Sequence, residues 1–365
     1  MAQLSEKPID VIIAGHLCLD IIPELASGWQ MQPGQLSEAG KAVLASGGAV
    51  ANVGLNLHKL GFKVKLLGQL GDDGFGKLLK DYLSQLAPEA AKGLSILPQV
   101  STSYTIILSS PERDRSFLHH AGANAHYSLD LDRNLLKQAK VFYFGYPPLI
   151  ASSYIDGGTT LAALFKELKA EGVMTALDMS TPDVSGPAAR VDWTEFLATV
   201  LPYVDIFMPS LDDLRAIYPQ KELNYHDYVL DLSQKLLDLG AALVGITLGE
   251  DGIFLSCAKP EGLKGSLLEA WAKGSYYLPA FDSKVIGTTG AGDACFAGMI
   301  AAILKGFSLR ESLRFASANA ACSVQAADAI SGVKSFQDTL DLAQSQTFKQ
   351  GLAVFERYLL PPLHS

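Results

Sequence analysis

The chain has 365 residues, 48% hydrophobic and 18% charged, with a formal net charge of −9. This suits a folded protein with a sizeable core, and an acidic balance with no long basic run argues against general nucleic-acid or membrane-surface binding. Cys18, Cys257, Cys295 and Cys322 show no metal-ligand spacing and read as reduced core thiols; the first residues lack a basic, apolar leader, and the longest apolar stretch, 294–304, is too short to span a bilayer, so a cytoplasmic protein is expected.

In chain order, "VIIAG" reads as a buried strand ending on Gly15. "AVANVGLNLHKLG" places Val50, Val53, Leu57 and Leu60 at helical spacing, with Gly61 as a stop. "KVKLLGQLG" is strand-like, and "FGKLLKDYLSQL" is a helix with Leu78, Leu79, Tyr82, Leu83 and Leu86 on one face. "TSYTIILSS" and "RSFLHHAG" flank the charged tip "PERD" and predict a hairpin. That hairpin, with the irregular 20–46 segment, reads as an appendage. "KVFYFGY", "VMTALDM", "VDIFMPS" and "ALVGITLG" read as strands separated by helices such as "LAALFKELKAEG" and "YVLDLSQKLLDLG". Such alternation implies parallel crossovers and a doubly wound sheet. "GIFLSC" and "SYYLPAF" form a late antiparallel pair around a surface insertion at 259–274, and the last core helices begin near Gly292 and Leu309.

Ligands in open α/β sheets gather where strands end and helices begin. "VIGTTGAGDACFAGMIAAIL" has that form: a strand-like entry, a Gly/Thr loop, then an apolar helix with Asp293 at its mouth. Free amides and the helix dipole favour an anion there, and Gly290 and Gly292 let backbone approach a phosphate. Asp293 fits a general base for a hydroxyl nucleophile; the plainer reading is a helix cap. Upstream, Gly47 and Gly48 precede a helix carrying Asn52, whose amide suits a polyol, and Asp20 lies just beyond the first strand. Each of these has a bland reading too, as a turn, a cap or a surface residue.

Together and in order, these segments resemble the ribokinase/pfkB family of carbohydrate kinases, from about residue 11 to about residue 332. The resemblance rests on "TTGAGDACFAG", on Gly47, Gly48, Asn52, Leu60 and Gly61 with "GQLGDDGFG", on "HAGAN" and on "TLGEDG". It implies one ribokinase-like domain over 1–365: a doubly wound, mainly parallel sheet flanked by helices, with a small β lid from about 20–46 and 102–124. It implies ATP and Mg²⁺ and a small sugar or related polyol. Asp293 would deprotonate a sugar hydroxyl, with amides around Gly290, Ala291, Gly292 and Asp293 forming an anion hole. Asp20, Gly47, Gly48, Asn52 and Asn124 would hold the sugar. Ser210, Asp213, Thr247, Gly249, Gly252 and Asn319 would serve the nucleotide side, with Asp213 meeting the metal through water. No nucleic-acid or membrane partner is expected, and a homodimer through the lid is.

Three departures stand out. The family's Asn-x-x-Glu is replaced by Ser210 and Asp213 in "PSLDD", the aspartate before the Thr-Thr pair is Gly287, and an acidic residue after "YFG" is replaced by Tyr146. They motivate an alternative, a catalytically weak sugar- or nucleotide-binding regulator of the same fold. The intact "GAGD" speaks against it, since a pure binder needs no base. For a phosphorylated substrate, Lys41, Arg113, Arg115, His119 and His120 are the candidate contacts, and the two histidines would face opposite ways on an extended strand.

Overall fold

Apolar runs of β-branched and aromatic residues lay down the strands, and a computed structural model shows how they pair; it describes residues 7–109, 116–220, 224–258, 274–345 and 347–361. In chain order the strands are β1 (Ile9–Gly15), β2 (Cys18–Pro23), β3 (Ala42–Gly47), β4 (Val64–Leu67), β5 (Gln69–Gly71), β6 (Ser95–Leu97) and β7 (Tyr104–Leu108). There follow β8 (Ser116–His120), β9 (Ala139–Gly145), β10 (Met174–Leu177), β11 (Ile206–Phe207), β12 (Leu243–Thr247), β13 (Ile253–Cys257) and β14 (Gly274–Leu278).

The main sheet has eight strands in the order β14-β13-β12-β11-β10-β9-β1-β4. From β4 to β12 all neighbours are parallel, whereas β12, β13 and β14 pair antiparallel, as the late pair predicted. Helices cover both faces over two apolar clusters. A parallel sheet buried on both faces needs continuous apolar strands, and β9 and β10 are buried almost throughout.

A second sheet of four strands, in the order β3-β2-β7-β8, stands apart from the first. The predicted hairpin is its β7–β8 pair, registered Tyr104 to His120. The tip with Arg113 and Arg115 lies outside the described residues, as does most of the insertion at 259–274. "KVKLLGQLG" makes two strands rather than one: β4 joins the main sheet, while β5 leaves to pair with β6, which the sequence did not announce. Beyond it Asp73 caps the helix Gly74–Leu86 by accepting from Gly76 N, and its other oxygen takes Thr102 N at 2.8 Å.

The helix Ala291–Leu304 is the pivot of the site. Residues 293–303 are all buried, because it is enclosed by the helices Ala49–Lys59 and Leu309–Ser323. Gly298 permits that closeness: a Cβ there would lie 2.8 Å from Ala316 Cα. A buried polar network locks the three helices together. Asn56 Nδ2 donates to Asn52 O at 2.7 Å and Ala329 O at 3.3 Å, while Asn319 Nδ2 donates to Ala294 O at 2.7 Å and Asn56 Oδ1 at 3.2 Å.

Asn319 is therefore a clamp between helices and is not among the residues lining the cleft described below. Truncating one partner of a buried network strands the others at about 1–3 kcal/mol. Asn319→Ala should lower unfolding stability by that amount while leaving nucleotide affinity nearly unchanged. Urea denaturation alongside nucleotide titration checks both halves.

All four cysteines are buried and free. Among the described residues no helix is long and apolar enough to cross a membrane.

Candidate active site

The candidate residues converge at the carboxyl ends of the parallel strands. His16 follows β1, Tyr146 follows β9, Asp178 follows β10 and Ser210 lies shortly after β11. Helix Ala291–Leu304 points its N-terminus at the same region.

Asp293 does not cap that helix. The N-cap is Gly290, at φ 74°, and no side chain caps the turn; Asp293 sits in the first turn, 3% exposed. Its carboxylate accepts Asn52 Nδ2 on Oδ2 at 2.9 Å and the Tyr146 hydroxyl on both oxygens at 2.8 Å. Burial pushes its pKa up to about 6, against the pull of those donors, and Asp213 adds to the rise. A base poised near the working pH suits proton abstraction. Gly290 is needed for its left-handed backbone and its space, since a Cβ would meet Ala329 Cβ at 2.2 Å. Of the expected anion-hole amides, that of Ala291 donates to Thr288 O at 3.3 Å.

Asp20 lies on β2 opposite Ala45, with Gly47 beside it. A Cβ on Gly47 would fall 2.3 Å from the Asp20 carboxylate, so only glycine leaves that carboxylate its place. Gly48, at φ 83°, likewise leaves room for His16. Asp20 is 7% exposed and receives the Cys18 thiol at 3.4 Å. Burial pushes its pKa up to about 7, opposed by the thiol and reinforced by the Asp293 charge. Asn52 Oδ1 is buried with no partner, an acceptor aimed at nothing in the protein.

His16, which the sequence reading passed over, is 2% exposed with both ring nitrogens unpartnered. Burial first and His119 second hold it well below the usual histidine range, hence neutral. Its ring stacks on Tyr146 at 5.9 Å and tilts against His119 at 5.2 Å. His119 shares a 3.0 Å hydrogen bond with Thr105, whereas His120 bonds Ser101, so the alternation of the strand separates them as expected. Lys41 is exposed.

Asn124 does not face this site. Its amide is engaged at both ends with Leu17, donating to the carbonyl at 2.9 Å and accepting the N–H at 3.3 Å. It braces the segment that carries Asp20 rather than offering a contact to a sugar.

Asp178 was also missed. It accepts Met179 N at 2.8 Å and the Tyr143 hydroxyl at 3.0 Å, and burial with the charges of Asp293 and Asp213 holds it well above the usual carboxylate range. The signal was present, a carboxylate closing an apolar strand in "ALDM".

The nucleotide-side candidates gather around a cleft of about 580 Å³, a size that suits a small-molecule cofactor. Ser210, Thr247, Gly249, Gly252, Ala291 and Gly292 all line it. Asp213 is buried and is not among the lining residues. With Ser210 it forms the capping box of the helix Leu211–Ile217, and its other oxygen takes Thr181 at 2.8 Å. Gly287 packs against the 326–327 backbone, where a Cβ would come within 2.8 Å of Ala326 O.

Among the described residues no three acidic, histidine or cysteine side chains form a metal cluster. The charges of Asp293 and Asp213 raise the pKa of buried Asp178, and that of Asp213 raises the pKa of Asp293, an arrangement of carboxylates that suits a hydrated divalent ion.

The fold is of the ribokinase-like type. The chain is similar to the ribokinase of Arabidopsis thaliana complexed with ribose and ATP, at TM-score 0.72 and 21% identity over 93% of this chain and 99% of that one. It is similar to the Xylella fastidiosa fructokinase with bound ATP, at TM-score 0.70 and 19% identity over 92% and 98%. The sequence profile of the pfkB family of carbohydrate kinases matches residues 9–335, and the chain belongs to that family. Relatives include an ATP-dependent 6-phosphofructokinase of Thermoanaerobacterium thermosaccharolyticum, 27% identical over 85% of this chain and 86% of that protein. Fructokinase-2 of Oryza sativa subsp. japonica is 28% identical over 87% and 88%.

Proposed function

We propose that the protein transfers the γ-phosphoryl group of ATP to a hydroxyl of a neutral sugar or related polyol, with Asp293 as general base. The observation that carries this is the placement of Asp293: buried in a helix's first turn, capping nothing, and oriented by Asn52 and Tyr146. The ATP phosphates would lie in the cleft against the amides of Gly292 and Asp293, where preorganised donors stabilise the transferring group. Asp20 and the free Asn52 Oδ1 would accept sugar hydroxyls. Magnesium, when bound, would offset phosphate charge, and Asp213 and Asp178 would meet it through water.

A neutral acceptor is favoured because the side chains gathered around Asp293 are acidic or uncharged: Asp20, Asn52, Tyr146 and a His16 held neutral by burial. The second sheet would act as a lid over the sugar, excluding water from the reaction. It leaves Val43, Leu44, Phe117 and Leu118 exposed, a surface that fits a second copy of the chain and is read by sedimentation velocity.

A coupled ADP-release assay over ribose, fructose, fructose 6-phosphate and nucleosides tests the reading. Turnover with a neutral sugar supports it. Turnover with the phosphorylated sugar alone would overturn the neutral acceptor, and binding without turnover across the panel would favour a regulator.

The pH profile follows from the buried carboxylates. Both must be ionised to act, and their pKa values are raised to about 6 and about 7. Activity should thus fall as pH drops through that range, well above the ordinary aspartate value, and should plateau on the alkaline side. A pH profile of kcat/KM that stays flat down to the ordinary carboxylate range would contradict it.

A further inference from the structure

Tyr146 replaces an expected acidic residue, yet it makes the closest approach to the base. Its hydroxyl lies 2.8 Å from both oxygens of Asp293, across the mouth of the carboxylate, while Asn52 holds the flank of Oδ2. The phenol is a firm donor, since burial and the Asp293 charge keep its pKa well above the usual tyrosine value. Its backbone sits at φ 63° and ψ 56°, a left-handed conformation rare for a bulky residue and persisting only where surroundings impose it. Pro147 after it disfavours helical backbone at Tyr146 and adds to that strain. Its ring lies on His16, whose two buried nitrogens have no partner.

We propose that Tyr146 is the residue that makes this kinase choose a sugar hydroxyl over water: its phenol occupies Asp293 as a stand-in for the acceptor hydroxyl and yields only to a polyol. This rests on Asp293 being the base. A proton donor must reach hydrogen-bond distance of a carboxylate oxygen, and the phenol stands across that approach. Its hydrogen is shared between two acceptors, so one straight bond from an incoming hydroxyl can replace it. A polyol brings further contacts, to Asp20 and Asn52 Oδ1, whose binding energy can drive the displacement; water brings none. The displaced ring relaxes its left-handed backbone, and an unpartnered nitrogen of His16 is adjacent to receive the phenol or a sugar hydroxyl.

Without the guard, water would be activated instead. Its oxygen would bond the γ-phosphorus and the bond from that phosphorus to the bridging oxygen of ADP would break. The water proton would pass to Asp293, and ADP and inorganic phosphate would leave.

The test is ATP hydrolysis with no sugar added. Tyr146→Phe keeps the ring and removes the hydroxyl; hydrolysis should rise at least ~10-fold, a tenfold rise being 1.36 kcal/mol of barrier. The rise should vanish in the Tyr146→Phe/Asp293→Asn double variant. Tyr146→Gly, at ease in a left-handed turn, should leak likewise, which keeps the test open if Phe perturbs folding. Unchanged hydrolysis in both variants overturns the proposal, as does a rise that survives Asp293→Asn. A fall in kcat for sugar without any leak also overturns it, since that marks a fixed positioning residue. Asp293→Asn alone tests the base itself: if it keeps sugar phosphorylation the base reading falls, whereas if it loses it and Tyr146→Phe does not leak, only the guard falls.

Discussion

Asp293→Asn should lower kcat by about 10²–10⁴-fold, the usual scale for removing a general base. An amide cannot take the proton of the attacking hydroxyl, and its NH₂ would confront one of the donors, Asn52 Nδ2 or Tyr146 Oη, that hold the carboxylate now. Folding should persist for a reason visible only in the structure. Asp293 caps nothing, and its raised pKa shows that the buried charge is costly, so a neutral amide of the same shape relieves that cost. Single-turnover kinetics with a melting curve on the same preparation decide the matter. A folded variant with near-normal turnover would remove Asp293 from the chemistry.

Asp20→Asn should weaken kcat/KM for the sugar by about 10–150-fold, the equivalent of the roughly 1.5–3 kcal/mol that charge-assisted hydrogen bonds contribute. An ionised carboxylate accepts from two hydroxyls, whereas an amide presents donors on one side. The ATP term should barely move, because Asp20 is absent from the residues lining the nucleotide cleft. Kinetics varying sugar and ATP separately provide the check. A loss confined to the ATP term would put Asp20 on the wrong side of the site, and no loss in either would make it a packing residue held by Cys18.

Much of the architecture was legible because its signals are local. The apolar runs that became β1, β9, β10 and β12, and the helical spacing of Val50, Val53 and Leu57, report burial on the chain itself. Where packing between distant segments decides, the reading failed. "KVKLLGQLG" shows one apolar run, and nothing in it says that β5 departs at Gly68 to meet β6. Asn124 and Asn319 were expected at the ligand only through the family resemblance. Each instead satisfies buried backbone, Leu17 in one case and Ala294 in the other. Which partner a buried amide takes depends on what folding brings within 3 Å.

The sequence by itself determined that a glycine-rich loop opens into an apolar helix with one carboxylate at its mouth, since glycine conformation and helix periodicity are properties of a short segment. It also determined family membership, through motifs in a fixed order. Only the tertiary structure decided what surrounds that carboxylate. Asn52 reaches it across 241 residues and Tyr146 across 147. Asp213 imposes its charge from the first turn of the helix Leu211–Ile217. A buried group's pKa and its hydrogen-bond partners are set by desolvation and by neighbours in space, and neither is written at the residue's own position in the chain.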